Sequence, residues 1–159
     1  MTGSLEPRSD WVAEHCSMEK ALGVVHTRSA FVILREAYYG ATRFDEFSQR
    51  AQLSDPVTAT RLHELVGAGL LVREPYREPG QRTRDRYRLT EMGAELLPVL
   101  VALMQWGDRW LQEEGPPVTL RHTGCGEPVA AQLRCAGGHE VGAGELDLVR
   151  PRQRRRPAL

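Results

Sequence analysis

Residues 53–89 limit the fold more than any other part of the chain. The stretch LSDPVTATRLHELVGAGLL (53–71) has the pattern of a short amphipathic helix and stops at Gly69. With no linker, it runs into two strand-like segments, 71–76 and 84–89, separated by the turn-forming, basic connection REPGQRT. A helix that ends where a hairpin begins must pack beside it. Ser54 is placed as N-cap, and Pro56 falls in the first turn, where its missing N–H is harmless. Advancing about 100° per residue puts Thr58, Leu62 and Leu65 on one side of this helix. Pro56, Thr60, His63 and Gly67 fall on the other side, with Ala59 beside them and Arg61 near the apolar edge.

Three helices are expected before this stretch. Met18, Ala21, Leu22 and Val25 recur at helical spacing over 14–25. Ser29 is the expected cap of a second helix carrying Val32, Ile33, Leu34 and Ala37, with Gly40 as its stop. A third, 44–51, turns Phe44 and Phe47 inward and leaves Arg43, Asp45 and Glu46 in water. After the hairpin, Thr90 caps a long helix to about 114, interrupted in its first half by Gly93 and Pro98. Its apolar stripe is Leu96, Leu100, Leu103, Met104, Trp110 and Leu111. Gly115-Pro116-Pro117 is the expected boundary. Beyond it, VTLRH, VAAQLRC and the segment around ELDLV have the character of three short strands. The fold class is therefore mainly α with a small β component: a winged helix-turn-helix plus a small C-terminal β appendage. The expected organisation is a loose N-terminus (1–13), a winged helix-turn-helix with terminal dimerisation helices (14–114), a zinc-ribbon-like appendage (115–149) and a disordered basic tail (150–159).

Charge distribution points to a polyanion. The net charge is zero, yet 20 of the 21 basic residues are arginine, and six arginines crowd residues 73–88. In a winged helix-turn-helix a protruding helix face fits the major groove, about 12 Å wide, while the hairpin reaches the neighbouring phosphates. The expected DNA-facing residues are Ser54, Asp55, Pro56, Ala59, Thr60, Arg61 and His63 on the helix, with Thr60 and His63 reading bases. On the wing they are Arg77, Arg82, Arg84 and Arg86. Alternate strand residues share a face, so Arg82, Arg84 and Arg86 point together.

Larger motifs agree. CSMEKALGVVHTRSAFVILREAYYGATRFDEF, followed by S-x6-RLHEL-x3-GLL and by LTEMGAELLPVLVALMQWGDRWL, resembles the HxlR family of bacterial transcriptional regulators over about residues 16–111. The resemblance implies a dimer joined through terminal helices and bound to double-stranded operator DNA; a repressor is the expected sense of regulation. Thr27-Arg28-Ser29 departs from the Gly-Lys-Trp usual in the family. Some members sense oxidants or electrophiles through a cysteine at the position of Cys16. Here His15 and Lys20 lie close in sequence to that thiol, and the other reading is a small packed residue near the dimer seam.

Two further clusters admit more than one meaning. His122-x2-Cys125 and Cys135-x3-His139 have the donor types of a structural zinc site, although the spacing departs from a regular ribbon. A metal-free appendage or a Cys125–Cys135 disulfide are the other states. DNA binding itself requires no cofactor. Trp106 and Trp110, four residues apart, share a helix face that forms a dimer core or lines an effector pocket between subunits. A zinc- or thiol-dependent enzyme is the competing class, but no phosphate-binding loop or general-base constellation accompanies the cluster. A winged-helix protein-interaction module is another. No apolar run approaches the length of about 20 residues that spans a membrane, and no apolar leader opens the chain. A cytoplasmic protein is expected.

Overall fold

The computed structural model describes residues 16–77, 79, 80 and 82–148. The expected N-terminal segment 1–13 and tail 150–159 lie outside the described residues. The chain divides into two compact units, Ala21–Ala131 and the pair of segments Met1–Lys20 and Gln132–Leu159.

In chain order the elements are α1 (Ser17–Val24), α2 (Arg28–Tyr38), α3 (Phe44–Ala51), α4 (Asp55–Gly67), β1 (Leu71–Tyr76), β2 (Arg84–Leu89), α5 (Glu91–Ala94) and α6 (Leu97–Leu111). The core of the larger unit is built where α2, α3 and α4 converge on the hairpin. Ile33, Leu34, Phe47, Leu62, Leu65, Leu70 and Leu71 are almost wholly buried. Phe47 meets Tyr87 of β2 edge to face, with ring centroids 6.1 Å apart, which closes the sheet over the helices. The strands form one antiparallel pair, with Leu71 opposite Leu89 and Tyr76 opposite Arg84.

Three expectations for this unit need correction. Thr27, not Ser29, caps α2: its hydroxyl accepts the Ala30 N–H at 3.1 Å, and Ser29 is already helical. The helix expected from 90 to 114 is two helices. Thr90 caps α5, and Pro98 opens α6 at a position where it costs no hydrogen bond. The break falls where Pro98, with no N–H, cannot bond the Ala94 carbonyl four residues back. A Cβ at Gly93 would stand 2.1 Å from the Leu70 carbonyl oxygen, so α5 sits on the end of the α4–β1 connection as only glycine allows. Glu46 is not simply wet, since its carboxylate accepts the N–H groups of Thr42 (2.8 Å) and Arg43 (2.9 Å) at the start of α3. Those two bonds, the Thr42 one foremost, lower its pKa.

The appendage also differs from expectation. The three strands predicted over 118–149 do not form among the described residues. In their place are isolated bridges, Arg121 with Pro128 and Arg134 with Glu140, and a 3-10 turn at Ala143–Glu145. Each bridge closes a knuckle turned by a glycine at positive φ, Gly126 or Gly138. With most side chains here exposed, too little apolar surface is buried to extend a bridge into a ladder. Among the described residues, no helix is long and apolar enough to cross a membrane.

Candidate nucleic-acid interface

The turn between α3 and α4 sets the aim of α4. Gln52 adopts the left-handed conformation at φ 52° to end α3, and Leu53 N–H closes on the Ser48 carbonyl at 3.1 Å. The Ser48 hydroxyl then donates to Asp55 at 2.7 Å, tying α3 to the first residue of α4. Ser54 occupies the N-cap position as expected, but its side chain makes no capping bond; the cross-link from Ser48 orders this corner instead. Asp55 is thus partly committed to the turn.

Around α4 the two sides separate as the wheel requires. Thr58, Leu62 and Leu65 are buried. Ser54, Asp55, Pro56, Ala59, Thr60, His63 and Gly67 are exposed. The Thr60 hydroxyl donates to the Pro56 carbonyl at 2.8 Å, which leaves the methyl and an oxygen lone pair to face outward. Arg61 is half-buried, and its guanidinium pairs with Glu64 on the same helix. At the far end, Gly69 (φ 76°) stops α4, and Leu70 N–H reaches back to the Leu65 carbonyl at 2.9 Å.

The wing is fastened to the same corner. Tyr87 N–H donates to the Thr42 carbonyl at 2.7 Å, and Arg43 lies over the Tyr76 ring at 5.4 Å. Neither contact of residues 42–43 was anticipated; a basic residue before an aromatic helix start carries no distinguishing signal by itself. Arg84 and Arg86 are both exposed on β2 and alternate with half-buried Asp85 and Tyr87, as strand geometry demands. They differ in company. Arg86 Nε donates to Glu74 at 2.9 Å across the ladder, whereas among the described residues Arg82 and Arg84 have no ion-pair partner. Arg77 leaves β1 at the tip and is exposed.

Helix α6 turns two apolar faces outward from its axis. Leu100 and Val101 are buried against the core, while Val99, Leu103, Trp106 and Trp110 are exposed, the tryptophans by 55% and 64%. Arg109 lies over the Trp110 ring at 5.1 Å.

The remaining candidates fall apart from this surface in sequence. Cys16 is a free, half-buried thiol immediately before α1. In the larger unit, His122 Nδ1 and Cys125 Sγ are 3.2 Å apart on one knuckle. In the other unit, Cys135 Sγ and His139 Nδ1 are 3.5 Å apart on the second knuckle. Each pair supplies two donors, whereas a structural zinc takes four. Among the described residues no group of three or more His, Cys, Asp or Glu is placed to hold a metal ion. Cys125 and Cys135 are free, so the disulfide reading does not describe this structure.

An exposed helix face of small and polar residues, aimed by a tight turn and flanked by a basic hairpin, is the arrangement by which winged helices meet DNA. The HxlR-like helix-turn-helix family matches residues 24–115. The chain belongs to that family. It is a DNA-binding transcriptional regulator with a winged helix-turn-helix fold, mostly helical with a two-stranded antiparallel sheet. It is 42% identical over 129 residues to the HTH-type transcriptional regulator Rv3095 of Mycobacterium tuberculosis (strain ATCC 25618 / H37Rv), covering 80% of each chain. Its fold is similar to the crystal structure of PA1607, with a TM-score of 0.77 and 32% identity over 86% of this chain and 96% of that one. It is also similar to the redox regulator HypR in its oxidized form, with a TM-score of 0.54 and 26% identity over 59% of this chain and 96% of HypR.

Proposed function

We propose that this HxlR-family regulator acts in the cytoplasm as a homodimeric repressor that occupies an inverted-repeat operator. Each subunit sets the amino-terminal half of α4 into a major groove, with Thr60 and His63 against base edges and Ala59 and Pro56 allowing close approach. Arg82 and Arg84 take the phosphates beside it. The observation that carries the reading is the division of α4 into a buried side and an exposed side, beside a wing whose Arg82 and Arg84 have no ion-pair partner among the described residues. A groove-reading helix must leave its polar side bare, whereas a purely structural helix in a small domain has no reason to gather a basic hairpin next to it.

The second subunit is proposed to cover the outer face of α6. Trp106 and Trp110 present large apolar area that a soluble surface rarely leaves open, and twofold symmetry then spaces the two α4 helices for half-sites about one helical turn apart. HypR is a redox regulator, and in this chain an oxidant would act through Cys16. Catalysis has no part in the proposal, and neither does a metal.

Sedimentation and footprinting on the chain's own upstream DNA test this reading. The expected result is a dimer protecting two half-sites, and a Trp106→Glu/Trp110→Glu variant that stays folded, becomes monomeric and loses the operator. A wild-type monomer, or absence of DNA affinity even at low salt, refutes it. Diamide that modifies Cys16 without changing operator affinity removes the redox element alone.

A further inference from the structure

The inner face of α6 does not fill the space beside α2. A cavity of about 520 Å³ lies between the two helices, roofed by Pro117 and Val118. That volume falls within the range of small-molecule sites, about 300–1,000 Å³. Two smaller cavities, about 240 and 250 Å³, adjoin along α6 and share Met104 with it. Gly107 keeps the cleft open, since a Cβ placed there meets nothing within 4 Å. A mid-helix glycine costs about 1 kcal/mol relative to alanine, and here no packing reason offsets it. The segment beside the adjoining cavities is tied to α6: the Gln105 amide donates to the Val129 carbonyl at 2.8 Å and accepts Ala131 N–H at 2.9 Å.

The charges in the cleft do not cancel. Arg35 and the buried Glu36 neutralise one another, Nε and Nη2 both reaching the same carboxylate oxygen at 2.9 and 2.6 Å. That leaves Asp108, half-buried on the cavity wall and, among the described residues, without a hydrogen-bond or ion-pair partner. Its neighbour Arg109 is turned onto Trp110. Tyr39 stands opposite with its hydroxyl donating to Met104 Sδ at 3.6 Å. Burial foremost raises the pKa of this phenol; Arg35 pulls it back, and the carboxylates of Glu36 and Asp108 add to the rise. An unpaired carboxylate, an aromatic ring and an apolar floor within one cavity complement a single class of small molecule.

We propose that the α2–α6 cleft binds a lipophilic organic cation, its charge on Asp108 and its apolar body against Tyr39, Met104 and Val118. A partly desolvated carboxylate holds such a cation, and the ring face adds cation–π attraction. No residue of α4 or of the wing lines the cleft, so the site stands whether or not the DNA-binding reading does.

Calorimetry on the free, full-length protein tests this with two probes of equal shape and opposite charge, tetraphenylphosphonium and tetraphenylborate. The phosphonium is expected to bind once per chain and about tenfold or more tighter than the borate, the scale of one partly buried ion pair. Asp108→Asn should abolish that preference. Gly107→Leu should fill the cleft and weaken both probes about tenfold or more, by loss of the apolar floor, with an unchanged circular dichroism spectrum. Equal affinity for the two probes overturns the proposal. So does phosphonium binding that survives Gly107→Leu, or that disappears instead in Trp106→Ala, which would place the probe on the outer face of α6.

Discussion

The wing separates two kinds of arginine, and salt dependence of DNA binding can read the difference. Each phosphate contact contributes about 0.9 to the slope of log affinity against log salt concentration. Arg82 and Arg84 have no ion-pair partner among the described residues, so each should contribute in full. Replacing both by alanine should flatten the slope by about 1.8, which between 50 and 200 mM salt amounts to about a 12-fold smaller loss of affinity. Arg86 should behave differently, because its Nε is engaged by Glu74 at 2.9 Å. The two side chains are 44% and 37% exposed, so the pair is worth no more than about 1 kcal/mol, enough to divert most of its charge from a phosphate. Arg86→Ala should therefore change the slope by less than half the effect of Arg84→Ala, and Glu74→Gln should steepen it by releasing Arg86. Fluorescence anisotropy of a labelled operator duplex over a salt series measures all four variants. An unchanged slope in Arg82→Ala/Arg84→Ala, or equal effects from Arg84 and Arg86, would refute the assignment of charge on this hairpin.

Thr60 and Gly93 carry the other predictions. The Thr60 hydroxyl hydrogen is committed to Pro56, so the methyl is the group expected to meet a base edge. Thr60→Val should then bind operator within about twofold of wild type, while Thr60→Ser loses a buried methyl worth about 0.8 kcal/mol, or about fourfold in Kd; the opposite order would show that the hydroxyl does the reading. Gly93→Ala would press a methyl onto the Leu70 carbonyl, and about 3 kcal/mol or more of stability should be lost, lowering Tm by about 6 °C or more at about 2–4 °C per kcal/mol for a chain of 159 residues. Gly67→Ala, with nothing within 4 Å of the added carbon, should instead stabilise the protein by up to about 1 kcal/mol. Comparable melting of the two variants would remove the reason given for glycine at position 93.

What could be seen in the chain before its structure follows from the range of the forces involved. Strands 71–76 and 84–89 and helix 44–51 were legible because their limits are written locally, in REPGQRT, in Gly69 and in the spacing of Phe44 and Phe47. The exposed side of α4 was legible for the same reason: period alone separates Thr60 and His63 from Thr58, Leu62 and Leu65. Features decided by contact were not. Thr27 and Ser29 are equally good caps on paper, and only the path of the chain into α2 selects Thr27. The alternation in VTLRH describes a strand, but a strand needs a partner of matching length, and the knuckles at Gly126 and Gly138 supply single bridges. The long helix shows the limit most clearly. Apolar periodicity says that Leu100, Met104, Trp106 and Trp110 belong to apolar faces, but not which face the core takes. That is settled by the interruption ahead of Pro98: α5, docked through Gly93 on Leu70, ends at Ala94 and α6 restarts at Leu97. Once restarted there, Leu100 and Val101 reach the interior, the tryptophans are turned out, and the same helix has one face for a second subunit and another bordering an open cleft. The break between α5 and α6 thus sets where both of the surfaces proposed on α6 lie.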